Sequence, residues 1–211
     1  MHTRVSAPHI LLAWYVMWWS LLAIAPFDRK DWALENTLAV AVVGTLIATH
    51  RRFRFSSLSY VLITLFMTLH AVGAHYTYAE VPLGFWLKNA LSLSRNPFDR
   101  IVHFAFGFLL VYPLKELLIR TGRVGDFWSV YLPVSGILAQ SGFFEIVEAF
   151  VAQIVSPDLG AAYLGTQGDE WDAQKDMAAA LAGAALMTAL MRLIPKTFQN
   201  QHNNHGISGN L

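Results

Sequence analysis

Three pairs of ligand-type side chains stand out in this 211-residue sequence: Asp99 with His103, Glu145 with Glu148, and Asp172 with Asp176. Spacings of three or four residues place both members of a pair on one face of a helix, wherever the helix runs through them. Carboxylates gathered with an imidazole can coordinate a divalent cation, and one left free beside it can serve as general base for a bound water. The candidate metal ligands are therefore Asp99, His103, Glu145, Glu148, Asp172 and Asp176, with Glu145, Glu148 and Asp172 as the candidate catalytic carboxylates. His70 and His75 are further candidates. Being five residues apart, they point in different directions, so at most one is expected to face the same centre.

Helices must carry these pairs, and composition says where the helices lie. The chain is 55% hydrophobic and only 14% charged, against roughly 25% charged in soluble domains. Residues 5–27, 36–50, 55–79, 101–114, 127–144 and 177–191 contain no Asp, Glu, Lys or Arg. A helix needs about 20 residues to cross the hydrocarbon core, and with borrowed flanking residues the stretches predict spans at 9–26, 33–50, 58–76, 99–118, 127–154 and 177–194. The expected fold is all-α, a polytopic membrane bundle of about six transmembrane helices forming one domain over 1–194, with a polar, disordered cytoplasmic tail over 195–211. The first span reads as a retained anchor, because Trp14, Trp18 and Trp19 are bulky for a cleaved leader and Pro26 follows its small residues.

The connections differ in character. Leu83, Trp86, Leu87, Ala90 and Leu91 recur at helical spacing opposite Lys88, Asn89, Ser92 and Arg95, which predicts an interfacial helix over 83–95. Gly160, Gly165 and Gly168 predict irregular backbone over 155–176. Six spans put both termini on one side. That side carries nine of the 15 basic residues, which predicts cytoplasmic termini. A net charge of +1 gives no basic surface for nucleic acid, and the absence of cysteine excludes disulfides and thiolate metal sites. There is no phosphate-binding glycine loop, dinucleotide fingerprint or Gly-x-Ser-x-Gly elbow.

Topology then sorts the acids. Of the 14 acidic residues only Glu116 and Asp126 fall on the terminal side; ten lie on the opposite side or at its helix ends, and Glu145 and Glu148 sit inside the fifth span, toward that same face. A carboxylate inside a membrane helix costs about 2.5–3.5 kcal/mol even on the lenient insertion scale. Protonation, a basic partner such as Arg100 or Lys175, or a divalent cation would each relieve that cost. Asp99, Asp172 and Asp176 could instead complement helix N-termini, and His103 could simply pack; Glu145 and Glu148 lie too far inside a span for that. In the sixth span Ala179 and Gly183 form a small-xxx-small pattern suited to close helix packing.

Three strings carry a family likeness: Leu69-His70-Ala71-Val72-Gly73-Ala74-His75-Tyr76-Thr77-Tyr78, Asp99-Arg100-Ile101-Val102-His103-Phe104, and Gly168-Asp169-Glu170-Trp171-Asp172-Ala173-Gln174-Lys175-Asp176-Met177. Over about residues 20–194 the chain resembles the YjdF family of uncharacterised bacterial inner-membrane proteins, which implies a multi-pass protein of the inner membrane. More distantly, the order Asp99-xxx-His103, then Glu145 or Glu148, then Asp172-xxx-Asp176 before a small-residue helix is similar to the VanZ-like superfamily. That likeness implies a polar site shared by three helices.

Three functions fit these residues. The leading expectation is a divalent-metal site in the periplasmic half, with membrane lipids as surroundings and a lipid or lipid-linked envelope substrate. A cation- or proton-coupled transporter is the second. A structural network, in which carboxylates only pair with Arg100 and Lys175, is the third. Substrate, metal identity and oligomeric state are not specified by the sequence.

Overall fold

The structure is a computed structural model and describes residues 7–122 and 124–193. The tail expected over 195–211 lies outside the described residues. All regular structure among the described residues is helical: α1 (Ala7–Leu22), α2 (Arg29–Thr49), α3 (Ser57–His75), α4 (Pro82–Ala90), α5 (Phe98–Gly122), α6 (Trp128–Ile154), α7 (Pro157–Leu164) and α8 (Asp172–Leu193). Five of them, α2, α3, α5, α6 and α8, are long and apolar enough to cross a membrane. The sixth expected span, α1, is apolar but has 16 residues, about 24 Å at 1.5 Å per residue.

Local chemistry explains most boundaries. Asp28 caps α2 by accepting hydrogen bonds from the main-chain N–H of Lys30 and Asp31, and Ser56 caps α3 by accepting from Ser59. The sequence reading missed α7. Ser156 precedes Pro157, whose fixed φ suits a first helical turn, and Gly165 ends the helix in the left-handed region at φ 59°. Gly165 thus terminates a short helix that contains Gly160, and the stretch is not irregular throughout. The interfacial helix is shorter than expected: α4 stops at Ala90, and Ser92 takes a left-handed φ of 52°. The chain then folds inward, so Arg95 is 8% exposed and not on a polar outer face.

The close pairing of α5 with α8 positions the site. A Cβ on Gly107 would lie 1.8 Å from the Ala180 carbonyl oxygen, and one on Gly183 would lie 2.1 Å from the Phe104 carbonyl oxygen. Only hydrogen side chains at both positions let the two backbones touch. The buried stripe of α8 runs Asp172, Asp176, Ala180, Gly183, Ala184, Thr188, Met191, so its two acids lie on the face held against α5. On α6 the buried stripe runs Pro133, Ile137, Ser141, Glu148, and Ile137 joins Val111, Ala180, Ala184 and Met191 in one apolar core. A second core of Tyr15, Ala39, Met67 and Ala71 binds α1 and α2 to α3. α7 packs on α6 and α2; Gly160 is required there, since a Cβ would sit 2.7 Å from the Ala152 carbonyl oxygen.

Candidate functional site

The polar centre has an outer part rich in arginine and an inner part without it. The outer part begins where segment 95–100 meets segment 165–172. Arg95 forms a buried ion pair with Asp172 and donates to the carbonyls of Thr166 and Gly165, both at 3.2 Å. Arg100 bridges Asp169 at 2.8 Å and Asp172 at 2.9 Å. Lys175 reaches Asp169 at 2.7 Å. Next to these ions, Gln167 and Asn96 pair like two peptide groups: Gln167 Oε1 accepts from the Asn96 N–H at 2.9 Å and its Nε2 donates to the Asn96 carbonyl at 3.2 Å. The fully buried Asn96 side chain also donates to the carbonyls of Ala79 and Val81 and accepts from the N–H of Phe98 at the start of α5. Gly84 leaves it room, as a Cβ there would lie 1.7 Å from Asn96 Oδ1. The partners expected for the acids were Arg100 and Lys175. Both are engaged, and Arg95, assigned by its amphipathic spacing to an exposed face, joins them.

One turn deeper, the ligand-type atoms come together. Asp99, His103 and Asp176 each offer one atom, and all three atoms lie within 4.8 Å of one another. His103 Nε2 is 3.7 Å from Asp99 Oδ1 and 3.6 Å from Glu145 Oε1. Arg100 Nε stands 3.5 Å from Asp176 Oδ1. Neither Glu145 Oε1 nor Asp176 Oδ1 has a hydrogen-bond partner. Beside them α6 and α8 form an open groove of about 540 Å³, lined by Gly142, Glu145, Ile146, Ala149, Ala173 and Met177 among others. Small side chains on both helices create the space, and Glu145 supplies its carboxylate.

Two further acids, read from the sequence only as helix-end charges, are buried at the start of α2. Asp31 and Glu35 of α2 are 1% and 3% exposed, four residues apart like Asp99 with His103 and Asp172 with Asp176. That spacing was the available signal. Two tyrosines outside the spans locate the group. Burial holds the Tyr78 hydroxyl well above its usual ionisation range, and the carboxylates of Glu35, Asp99, Glu148 and Asp31 push it the same way. Burial likewise raises Tyr163, with Glu35, Glu148 and Asp31 adding to it. The opposite holds at the rim, where hydrogen bonds from Lys175 and Arg100 keep the Asp169 carboxyl far below the usual carboxylate range.

The six principal candidates thus divide. Asp99, His103 and Asp176 converge, Glu145 borders them, Asp172 is taken by two arginines, and Glu148 is buried one turn along α6 from Glu145. Of the two further histidines, His70 is buried with Nδ1 2.5 Å from the Tyr78 hydroxyl, whereas His75 Nδ1 contacts the Leu22 carbonyl at 2.7 Å. They point apart, as their spacing requires.

A family profile described as "Predicted membrane protein (DUF2238)" matches residues 7–197. The chain is also similar to "Inner membrane protein YjdF" of Escherichia coli (strain K12), with 40% identity over 162 residues, 76% of this chain and 77% of the relative. No solved structure matches it. With its five long apolar helices and a family match over nearly the whole described length, the chain belongs to the DUF2238 family of multi-pass membrane proteins.

Proposed function

We propose that this inner-membrane protein holds a divalent cation between α5 and α8, at Asp99, His103 and Asp176, and uses it on a lipid or lipid-linked envelope substrate that enters from the α6–α8 groove. The observation that carries the reading is the convergence of two carboxylates and an imidazole, from helices locked together by Gly107 and Gly183. A set with one nitrogen and several oxygen donors suits manganese, iron or zinc. Glu145, with Oε1 unbonded and 3.6 Å from His103 Nε2, is the carboxylate available to take a proton from water beside the cation. The groove supports a lipid substrate because it opens along helices that span the membrane and is lined mainly by apolar side chains. Asp172 has a positioning role in this reading, since both arginines already occupy it.

Metal analysis of the purified protein in lipid nanodiscs tests the proposal. Manganese should be retained at about one ion per chain and its affinity should fall about tenfold or more in His103→Ala and Asp176→Asn. Equal retention in the variants, or none in the wild type, would sink the metal assignment. Incubation of the loaded protein with inner-membrane lipid extract should alter a headgroup, by mass spectrometry, and Glu145→Gln should not. An unchanged lipid profile would remove the substrate part alone.

A further inference from the structure

At the other end of the bundle, where α1 begins and α2 ends, the helices leave a gap. The backbones of α1 and α2 both pack on α3 but hardly approach each other. Ring contacts join them, Trp19 to Trp32 at 5.4 Å and His9 edge-on to His50 at 6.0 Å. Inward from the two histidines lies a cavity of about 220 Å³, lined by residues of all three helices. Leu12, Leu46, Ile63 and Met67 make its walls apolar, whereas His9, His50 and Arg51 gather at its mouth. Pro8 to Tyr15 on α1 and Val43 to His50 on α2 each cover about 10 Å at 1.5 Å per residue, which gives its depth. At about 30 Å³ per water-sized unit, 220 Å³ holds roughly seven such units, room for part of one acyl chain and not for two.

Two further observations point to a ligand. Tyr15 lines the cavity and is 7% exposed, yet its hydroxyl has no hydrogen-bond partner. Helical side chains lean toward the N-terminus of their helix, which on α1 is the mouth. A hydrogen-bond acceptor a few ångströms below the mouth would therefore satisfy this hydroxyl. The second observation is charge. Arg51 is exposed at the mouth, with Arg52 and Arg54 exposed beside it, and no ion pair among the described residues reaches any of the three. No acidic residue lines the cavity. Glu116, one of two acids on this side, is already held by Ser56, Ser59 and Arg120.

We propose that this cavity binds one anionic phospholipid of the surrounding membrane. One acyl chain lies between α1 and α2, its ester carbonyl accepts from the Tyr15 hydroxyl, and its phosphate is held at the mouth by Arg51. His50, fixed with Nδ1 2.9 Å from the Tyr60 hydroxyl, flanks the phosphate. The second chain stays in the bilayer beside Ile47, which lines the cavity and is 57% exposed. Net negative charge on the headgroup is favoured because basic residues at a membrane surface with no acid to answer them attract anionic lipid. The site shares no residue with the α5–α8 centre and does not rest on that reading.

The test offers the full-length protein, delipidated in detergent, an equimolar mixture of phosphatidylglycerol and phosphatidylcholine with identical chains, and counts retained lipid by native mass spectrometry. The wild type should keep one phosphatidylglycerol per chain in preference to phosphatidylcholine. Arg51→Gln should weaken that retention about fivefold and Tyr15→Phe about threefold, while Arg52→Gln, outside the cavity, should change it less than Arg51→Gln does. Leu46→Trp, which fills the cavity, should abolish it. Size-exclusion chromatography checks folding, and if Leu46→Trp is not monodisperse, Tyr15→Phe tests the placement of the chain. Equal retention of the two lipids by the wild type overturns the proposal, as does wild-type retention in Arg51→Gln. Equal loss in Arg51→Gln and Arg52→Gln assigns binding to the charge of the loop alone and overturns the cavity site. Wild-type retention in folded Leu46→Trp or in Tyr15→Phe overturns it as well.

Discussion

The arginine-bound rim and the arginine-free interior hold the same kind of residue under opposite conditions. At the rim, Asp169 and Asp172 are each met by cations and hydrogen-bond donors. In the interior, Asp31, Glu35 and Glu148 form no ion pair among the described residues. A compensated carboxylate in a low-dielectric setting has little left to offer a ligand and serves to hold elements together. An uncompensated one retains its capacity to bind. Asp99, His103 and Asp176 lie between the two, near arginine yet close enough together to share a cation.

That contrast breaks most readily at Arg95. Arg95→Gln leaves Asp172 and Asp99 short of a buried cation, so the protein should lose about 3–5 kcal/mol of stability, read as a lower melting temperature in detergent. Glu35→Gln removes a charge that has no partner and should leave melting unchanged or raise it. Equal destabilisation by both would erase the distinction. Gly183→Val drives a Cβ toward the Phe104 carbonyl, 2.1 Å away in the present backbone; it should cost about 1–3 kcal/mol by overpacking. By separating Asp176 from His103 it should also lose manganese.

Acidity sharpens the rim half of the comparison. The folded Asp169 carboxyl ionises far below its usual range because Lys175 and Arg100 hold it, so the unfolded chain takes up this proton first as pH falls. The stability from the ionised form is therefore fully present above the unfolded value of roughly 4 and disappears as pH falls through the lower folded value. Asp169→Asn should accordingly melt below wild type at pH 7, with the gap closing only under strongly acid conditions. A gap that closes near neutrality would show that another group controls the clasp. The smallest effect belongs to Lys175→Gln, whose side chain is 50% exposed; such a surface pair contributes about 0–1 kcal/mol and should be screened by salt.

Much of this arrangement is legible in the residues. The three pairs fall on one end of the bundle, and the acid-poor terminal side has its counterpart in Glu116, which the Ser56 and Ser59 hydroxyls and Arg120 satisfy completely. Helix α7 was hidden because glycine can end a helix as readily as prevent one, and only the neighbouring Ser156-Pro157 start distinguishes the two cases. Arg95 was hidden because an amphipathic pattern running to residue 95 also fits a helix that stops at Ala90 and turns inward. Asp31 and Glu35 have the four-residue spacing of Asp99 with His103 and of Asp172 with Asp176, but their place at the start of a span makes them read as interfacial charges.

Hydropathy by itself determined that this chain is a multi-pass helical membrane protein, because hydrocarbon admits only segments whose backbone hydrogen bonds close internally. Helical periodicity determined which acids share a face. Tertiary structure alone decided which acids receive arginine and which do not. That assignment depends on how closely α5 meets α8 at Gly107 and Gly183, and on segment 95–100 folding against 165–172. These are contacts between residues some 70 positions apart, and the pairing of charges follows distance in space, to which spacing along one helix gives no access.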